Sequence, residues 1–271
     1  MILHYWLAQV MALSQSTYSN RRTAIRTIAG TFTSTSFIAT SPPSFAKSTI
    51  STEELREIYN EGASTYESLY SESIVSRTLD FPTLRSNLLS KAEGDVLELG
   101  VGTGLNLPQY PSSIPSIKSY TALDLSPKMM ERAREKFAKG FPNVAASLEA
   151  LYEEDKVHFR IGDVNELTLL FNGKKFDTII DTFGLCVFPD PLNALKEARK
   201  CLNSGGKLIM LEHQDSLLGK ALNPTRNIAD VISTCRYDDD VLGLLKGAGF
   251  KSVSSKSYAG GFLIEVVAKE F

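Results

Sequence analysis

The stretch Val96-Leu97-Glu98-Leu99-Gly100-Val101-Gly102-Thr103-Gly104-Leu105-Asn106 joins an apolar run, an acid and three alternate glycines. Glycine takes positive φ without a Cβ penalty, and its bare main chain lets a ligand reach the loop N–H groups. Placed at the carboxyl end of a parallel strand, such a loop is suited to an adenosyl cofactor. A nicotinamide or flavin fingerprint, Gly-x-Gly-x-x-Gly, would need a glycine where Leu105 or Leu107 stands, so the spacing disfavours it. Asp124 lies 20 residues beyond Gly104, at the end of a second apolar run. A carboxylate there can accept both ribose hydroxyls in short charge-assisted bonds. Asp163, after a third run, suits an adenine 6-amino group, with the Val164 N–H meeting a ring nitrogen.

Glu98 would be costly to bury without partners. Loop N–H groups, a water or the amino group of a methionine moiety would satisfy it. Alternatively it only orients the loop. Met129 is placed to lie against adenine or to serve as core. The expected cofactor-binding set is Glu98, Gly100, Gly102, Gly104, Asn106, Asp124, Leu125, Met129, Asp163 and Val164, and the expected cofactor is S-adenosylmethionine (SAM).

On the acceptor side, Asp181, Thr182, Cys186 and His213 fall at the carboxyl ends of the fourth and fifth strands. His213 is the best base candidate because its unperturbed pKa lies near neutrality, and Asp181 is the second catalytic candidate. The competing account of His213 is an imidazole bonded to main chain with no part in proton transfer. Cys186 reads as packing rather than as a nucleophile. Cys186, Cys201 and Cys235 are too few and too scattered for a disulfide framework or a Cys-x-x-Cys site, and His4, His158 and His213 make no ligand cluster. No metal is expected.

The elements that carry these residues follow from period and punctuation. Ser51-x-x-Glu54 has the form of a capping box and starts a helix through Leu55, Ile58 and Tyr59, extending towards Tyr66 and Leu69. A second helix covers Phe81–Ser90. Strands follow at 95–99, 120–123, 157–161, 175–180 and 207–211. Ser126-Pro127 caps one intervening helix; Asp190-Pro191 opens another, through Leu192, Leu195, Ala198 and Leu202, which Gly205-Gly206 ends. A helix over 239–248 precedes a hairpin of 250–255 and 262–268, turning around Gly260-Gly261. The expected fold is α/β: a Rossmann-like, seven-stranded, mostly parallel sheet with a C-terminal antiparallel hairpin and helices on both faces. The helical arm 51–93 would lie over the site, with Tyr59, Tyr66 and Tyr70 capping or packing it, and the core would span 94–271.

Glu98-Leu-Gly-Val-Gly-Thr-Gly104, Asp124-Leu-Ser, Gly162-Asp163-Val and Leu202-Asn-Ser-Gly-Gly206, in this order, resemble the class I SAM-dependent methyltransferases. Asn106-Leu-Pro-Gln-Tyr110-Pro111, Gly184-Leu-Cys186 and Leu211-Glu212-His213 are similar to a branch of small methyltransferase-like proteins (the type 11 domain) of eukaryotic organelles and membranes, some of which methylate thiols. More distantly they resemble quinone-biosynthesis methyltransferases. In that branch the segment after Glu-His often carries tryptophans; Gln214–Tyr237 has none. The resemblance implies in-line displacement at a sulfonium methyl onto a small-molecule acceptor, thiol, quinone-like or other. A general base is needed only if the acceptor must lose a proton. A SAM-binding organelle assembly factor without catalysis and a nicotinamide oxidoreductase are the competing functions.

Residues 1–50 hold no acid, four basic residues and 16 Ser or Thr, which is the composition of an organelle-targeting segment. Ile2–Leu13 is largely apolar, and Arg21-Arg22 followed by an apolar stretch and Ser44-Phe45-Ala46 resembles a second, twin-arginine signal. The two-part reading favours a plastid; a single mitochondrial presequence is the alternative, and a membrane anchor comes third because no apolar run is long enough for a span. Without this segment the formal charge of −2 becomes −6, which argues against a duplex nucleic-acid substrate. Peripheral membrane association is compatible with the sequence. With 271 residues, 43% of them hydrophobic, one full α/β core is affordable.

Overall fold

Ser51 and Glu54 close their capping box: the Glu54 N–H donates to Ser51 Oγ at 3.2 Å and the Ser51 N–H to Glu54 Oε2 at 2.8 Å. Helix α1 (Thr52–Gly62) begins there in a computed structural model that describes residues 50–68, 79–110, 116–138, 146–214, 216, 234–236 and 240–270. Residues 1–49, nearly all of the stretch 1–50 that the sequence suggests for targeting, lie outside the described residues, as do Leu69 and Tyr70. All elements belong to the unit Phe45–Phe271.

After α1 come α2 (Phe81–Leu89), β1 (Gly94–Leu99), β2 (Ile117–Asp124), α3 (Pro127–Ala138), α4 (Ala146–Glu153), β3 (Val157–Ile161), α5 (Leu167–Phe171), β4 (Phe176–Thr182), α6 (Pro191–Lys200), β5 (Leu202–His213), α7 (Val241–Gly247), β6 (Ser252–Tyr258) and β7 (Leu263–Lys269). They form one seven-stranded sheet in the order β3-β2-β1-β4-β5-β7-β6. β7 pairs antiparallel with both β5 and β6, so it alone runs against the others, as the expected hairpin requires. The reversal of order between β1 and β4 creates a crevice at the carboxyl ends of the strands, where ligands of open α/β sheets bind.

Alternation along the strands feeds two cores. Val96, Tyr120, Ala122, Ile180 and Ile209 face α2, α3 and α4 on one side of the sheet. Leu97, Leu99, Leu123, Ile179, Leu208 and Met210 face α5, α6 and α7 on the other. Helices therefore cover both faces. Each fully buried Val, Leu, Ile or Met side chain among them contributes about 1.5–3 kcal/mol relative to exposure.

Three local readings are corrected. α6 ends at Lys200 instead of running through Leu202, and β5 starts at Leu202, which pairs with Phe176 across a register shift. The Gly205-Gly206 pair lies inside the strand, not at a helix end. α4 and α5 have no counterpart in the expected element list. Among the described residues no helix is long and apolar enough to cross a membrane.

Candidate active site

Two main-chain bonds draw the strand ends together. The Val101 N–H donates to Leu123 O at 3.0 Å, holding the glycine loop against β2, and the Gly162 N–H donates to Asp124 O at 2.9 Å, holding the end of β3 beside it. Gly102, with φ of 57°, sits in left-handed backbone. A Cβ there would meet nothing nearer than Gly100 O at 4.0 Å, so the loop opens onto free space. Gly104 is different: a Cβ would stand 2.8 Å from Leu107 Cδ1, so this glycine serves packing.

Gly100, Gly102, Asp124, Leu125, Asp163 and Val164 line one cleft. Asp124 Oδ2 accepts from the Gly102 N–H at 2.7 Å and Oδ1 from the Ser126 N–H at 2.8 Å. Burial pushes its carboxyl up to about 6 despite these bonds. Asp163 Oδ1 accepts from the Asn165 N–H at 2.8 Å, and Oδ2 accepts from Thr52 Oγ1 at 3.2 Å. That last bond brings the first turn of α1 across the cleft. Leu55, Tyr59 and Tyr66 line it from the arm, and Asn60 Oδ1 accepts from Ser126 Oγ at 2.7 Å, anchoring α1 to the start of α3.

The facing wall is Thr182, Phe183, Gly184, Val187, Phe188 and Pro189. Phe183 has φ of 59°, an uncommon conformation for an aromatic residue, and is held by its N–H to Leu211 O at 2.9 Å and by stacking on Phe81 with ring centroids 4.9 Å apart. Sequence reasoning names Leu55 only as part of the arm helix and does not name this aromatic wall. The Phe188-Pro189-Asp190-Pro191 turn that ends in the α6 cap is the local signal for part of it.

Glu98, Gly104, Asn106, Met129, Asp181 and His213 are not among the lining residues. Glu98 accepts from Tyr120 Oη at 2.7 Å, Tyr110 Oη at 3.1 Å and Asn106 Nδ2 at 3.1 Å. Burial raises its pKa, and those three bonds draw it back. Asn106 and Arg85 both donate to Thr182 Oγ1, at 2.9 and 2.8 Å, and Arg85 donates to Asn106 Oδ1 at 2.5 Å. This buried network props the loop and reaches the cleft through Thr182. Met129 is fully buried, its N–H bonded to Ser126 Oγ at 3.1 Å.

Behind the facing wall, Glu212 Oε1 accepts from the Gly184 N–H at 2.8 Å and the Leu185 N–H at 3.1 Å. Glu212 Oε2 and both Asp181 oxygens meet no donor among the described residues. Burial pushes Asp181 up to about 7, while burial and the Asp181 charge push Glu212 well above the carboxylate range. Two carboxyls so placed keep at least one proton near neutral pH. His213 lies between Phe183 and Phe262, with centroid separations of 4.9 and 5.1 Å, and its Nδ1 stands 3.2 Å from Cys235 Sγ. Cys186 joins them: the three ligand-capable atoms lie within 4.8 Å of one another, although the sequence scatters these residues and suggests no cluster.

Residues 97–210 match the family model described as a methyltransferase domain. Among curated proteins, the mitochondrial methyltransferase OMS1 of Saccharomyces cerevisiae is 31% identical over 226 residues, covering 78% of this chain and 45% of that protein. A phosphatidylethanolamine N-methyltransferase of Cereibacter sphaeroides is 33% identical over 120 residues, covering 44% of this chain and 51% of that protein. The chain thus spans about half the length of these two relatives. Among solved structures, the DhpI complex with SAH superposes with a TM-score of 0.56 at 20% identity, over 80% of this chain and 95% of that one, a likeness of fold.

Proposed function

The chain carries a class I SAM-dependent methyltransferase domain, and from that premise we propose that it transfers a methyl group from SAM to a small-molecule acceptor by in-line displacement. The observation that carries the reading is the convergence of Gly102, Asp124 and Asp163, from three successive strand ends, on one cleft under α1. In this reading Gly100 and Gly102 present open main chain to the cofactor, Asp124 takes the ribose hydroxyls, and Asp163 with Val164 takes the adenine edge. Leu125 packs beside the ribose. Glu98 and Asn106 brace the loop from behind, Gly104 fits it to its neighbours, and Met129 is core.

Bound there, SAM supplies an electrophilic methyl whose positive charge disappears as the methyl leaves. A site that gripped the cation itself most tightly would slow the reaction. Among the described lining side chains only Asp124 and Asp163 are carboxylates, assigned here to ribose and adenine, while the facing wall includes Phe183, Val187, Phe188 and Pro189. Those apolar groups can fix an acceptor in line with the methyl, which is worth several kcal/mol of barrier. Asp181 and His213 stand behind this wall and enter proton transfer only for an acceptor that must be deprotonated.

We place the protein in an organelle. The acid-free first fifty residues and the mitochondrial name of the yeast relative support a mitochondrion; a plastid has no counterpart among the relatives above. The proposed division is a targeting segment at 1–50 and a methyltransferase domain at 51–271.

Calorimetry tests the cofactor: SAM should bind and NAD(P) or its reduced form should not. Incubation with labelled SAM and an organelle extract tests the activity. A labelled small product is expected. SAM binding with no transfer to any extract component would turn the reading towards a non-catalytic SAM-binding factor.

A further inference from the structure

Three chain segments remote in sequence meet behind the cleft wall. Cys186 lies in the turn after β4, His213 ends β5, and Cys235 stands shortly before α7. Their Sγ and ring nitrogen atoms all lie within 4.8 Å of one another, with Cys235 Sγ 3.2 Å from His213 Nδ1. Tetrahedral zinc with two sulfurs and one nitrogen needs ligand separations of roughly 3.5–3.8 Å, which small side-chain rotations reach from this arrangement. Both cysteines are buried.

The surroundings hold the three groups in place. The Arg236 N–H donates to Cys186 O at 3.0 Å and the Arg236 guanidinium to Leu185 O at 2.9 Å, tying the Cys235 segment to the Cys186 turn. Thr234 Oγ1 lies 3.1 Å from Tyr59 Oη, which fixes the same segment against α1. Phe183 and Phe262 flank the imidazole and set its plane.

We propose that Cys186, His213 and Cys235 form a Cys2His zinc site. Two thiolates and a neutral imidazole cancel the charge of the dication, so the assembled group is neutral and suits a buried place. Soft sulfur with imidazole in tetrahedral arrangement selects zinc over magnesium or calcium. Among the described residues no further His, Cys, Asp or Glu joins the set; three protein ligands with a water or substrate in the fourth position is an established zinc pattern. Cys186 is flanked by Gly184 and Val187 of the cleft wall, and Tyr59 lines the cleft, so the site adjoins the proposed acceptor pocket. Loading the site binds the metal through the thiolates and releases their two protons to solvent.

The test reads metal alone and does not depend on methyl transfer; with zinc bound, His213 is a ligand and any proton transfer falls to Asp181. The full chain is reduced, freed of metal and titrated with zinc and with cobalt(II). About one zinc per chain is expected, together with a thiolate-to-cobalt charge-transfer band. Cys186→Ser and Cys235→Ser should each weaken zinc binding roughly a hundredfold or more, while Cys201→Ala, remote from the cluster, should keep both metal and band. Far-ultraviolet circular dichroism checks folding. If the serine variants do not fold, zinc protection of the wild-type thiols against alkylation, mapped to Cys186 and Cys235 by mass spectrometry, takes their place. Reduced, folded wild type that binds no zinc and shows no cobalt band overturns the proposal. So does a Cys201→Ala variant that loses metal as fully as Cys186→Ser.

Discussion

Asp124 combines two demands in one side chain. Its oxygens already accept from the Gly102 and Ser126 N–H groups, and the proposed ribose bonds need the remaining lone pairs of the ionised form. Asp124→Asn would turn one face into a donor opposing a main-chain N–H. SAM affinity should fall by about 2 kcal/mol, roughly thirtyfold, read by calorimetry; unchanged affinity in the folded variant would remove Asp124 from the site. Because burial holds this carboxyl at about 6, acid should also weaken binding. SAM requires the carboxylate, so binding expels a proton below that value, and the dissociation constant should rise up to about tenfold per pH unit there. Asp181 gives the opposite dependence, in stability. Its folded pKa of about 7 lies above its ordinary 3.8, so its contribution is complete below about pH 4 and is lost as pH rises through 7. Asp181→Asn should be the more stable protein at pH 8 by roughly 1–3 kcal/mol, with the gap closing towards pH 4, as thermal melts across that range would show. A gap that is constant with pH would refute the buried pair. The residues that the sequence makes legible are those fixed by local pattern: Gly102 by its spacing, Asp124 and Asp163 by position at strand ends. Cys235 beside His213 and Asp181 beside Glu212 are products of three-dimensional proximity, and no spacing along the chain encodes them.

At the scale of elements, α1 reads clearly because Ser51 and Glu54 make a reciprocal cap that any sequence scan finds. α4 does not: over 148–153, where burial is described, only Leu148 and Leu151 are buried, and no strong cap precedes it among the described residues. The start of β5 is misjudged for a related reason: Gly205-Gly206 resembles a helix stop, while pairing of Leu202 with Phe176 across the sheet decides the boundary. α1 reaches the cleft by Thr52 to Asp163 and by Asn60 to Ser126. Ser51→Ala with Glu54→Ala should remove about 1 kcal/mol from the helix. If the arm retains bound SAM, stopped-flow measurements should show faster dissociation with little change in association. Equal slowing of association would mean that α1 shapes the site rather than covering it.

For the whole molecule, the doubly wound order places the proposed cofactor residues on β1, β2 and β3 and the proposed acceptor wall after β4, with β5 behind it. β7 supplies the partner that β5 needs along its outer edge, and β6, polar and exposed over nearly its whole length, ends the sheet with serines and a lysine that discourage further pairing. A chain stopped at residue 250 would leave the apolar β5 edge bare. It should aggregate or remain partly unfolded on size-exclusion chromatography; a soluble, cooperative monomer would show that the hairpin is dispensable.

The single reversed strand also fixes a temporal order. β7 is the last element of the chain, yet it lies inside the sheet, next to β5. During folding the half that carries β1, β2 and β3 can pair its strands before β7 is available. The opposite half waits for β7, so β5 gains its outer neighbour only once the hairpin has been made.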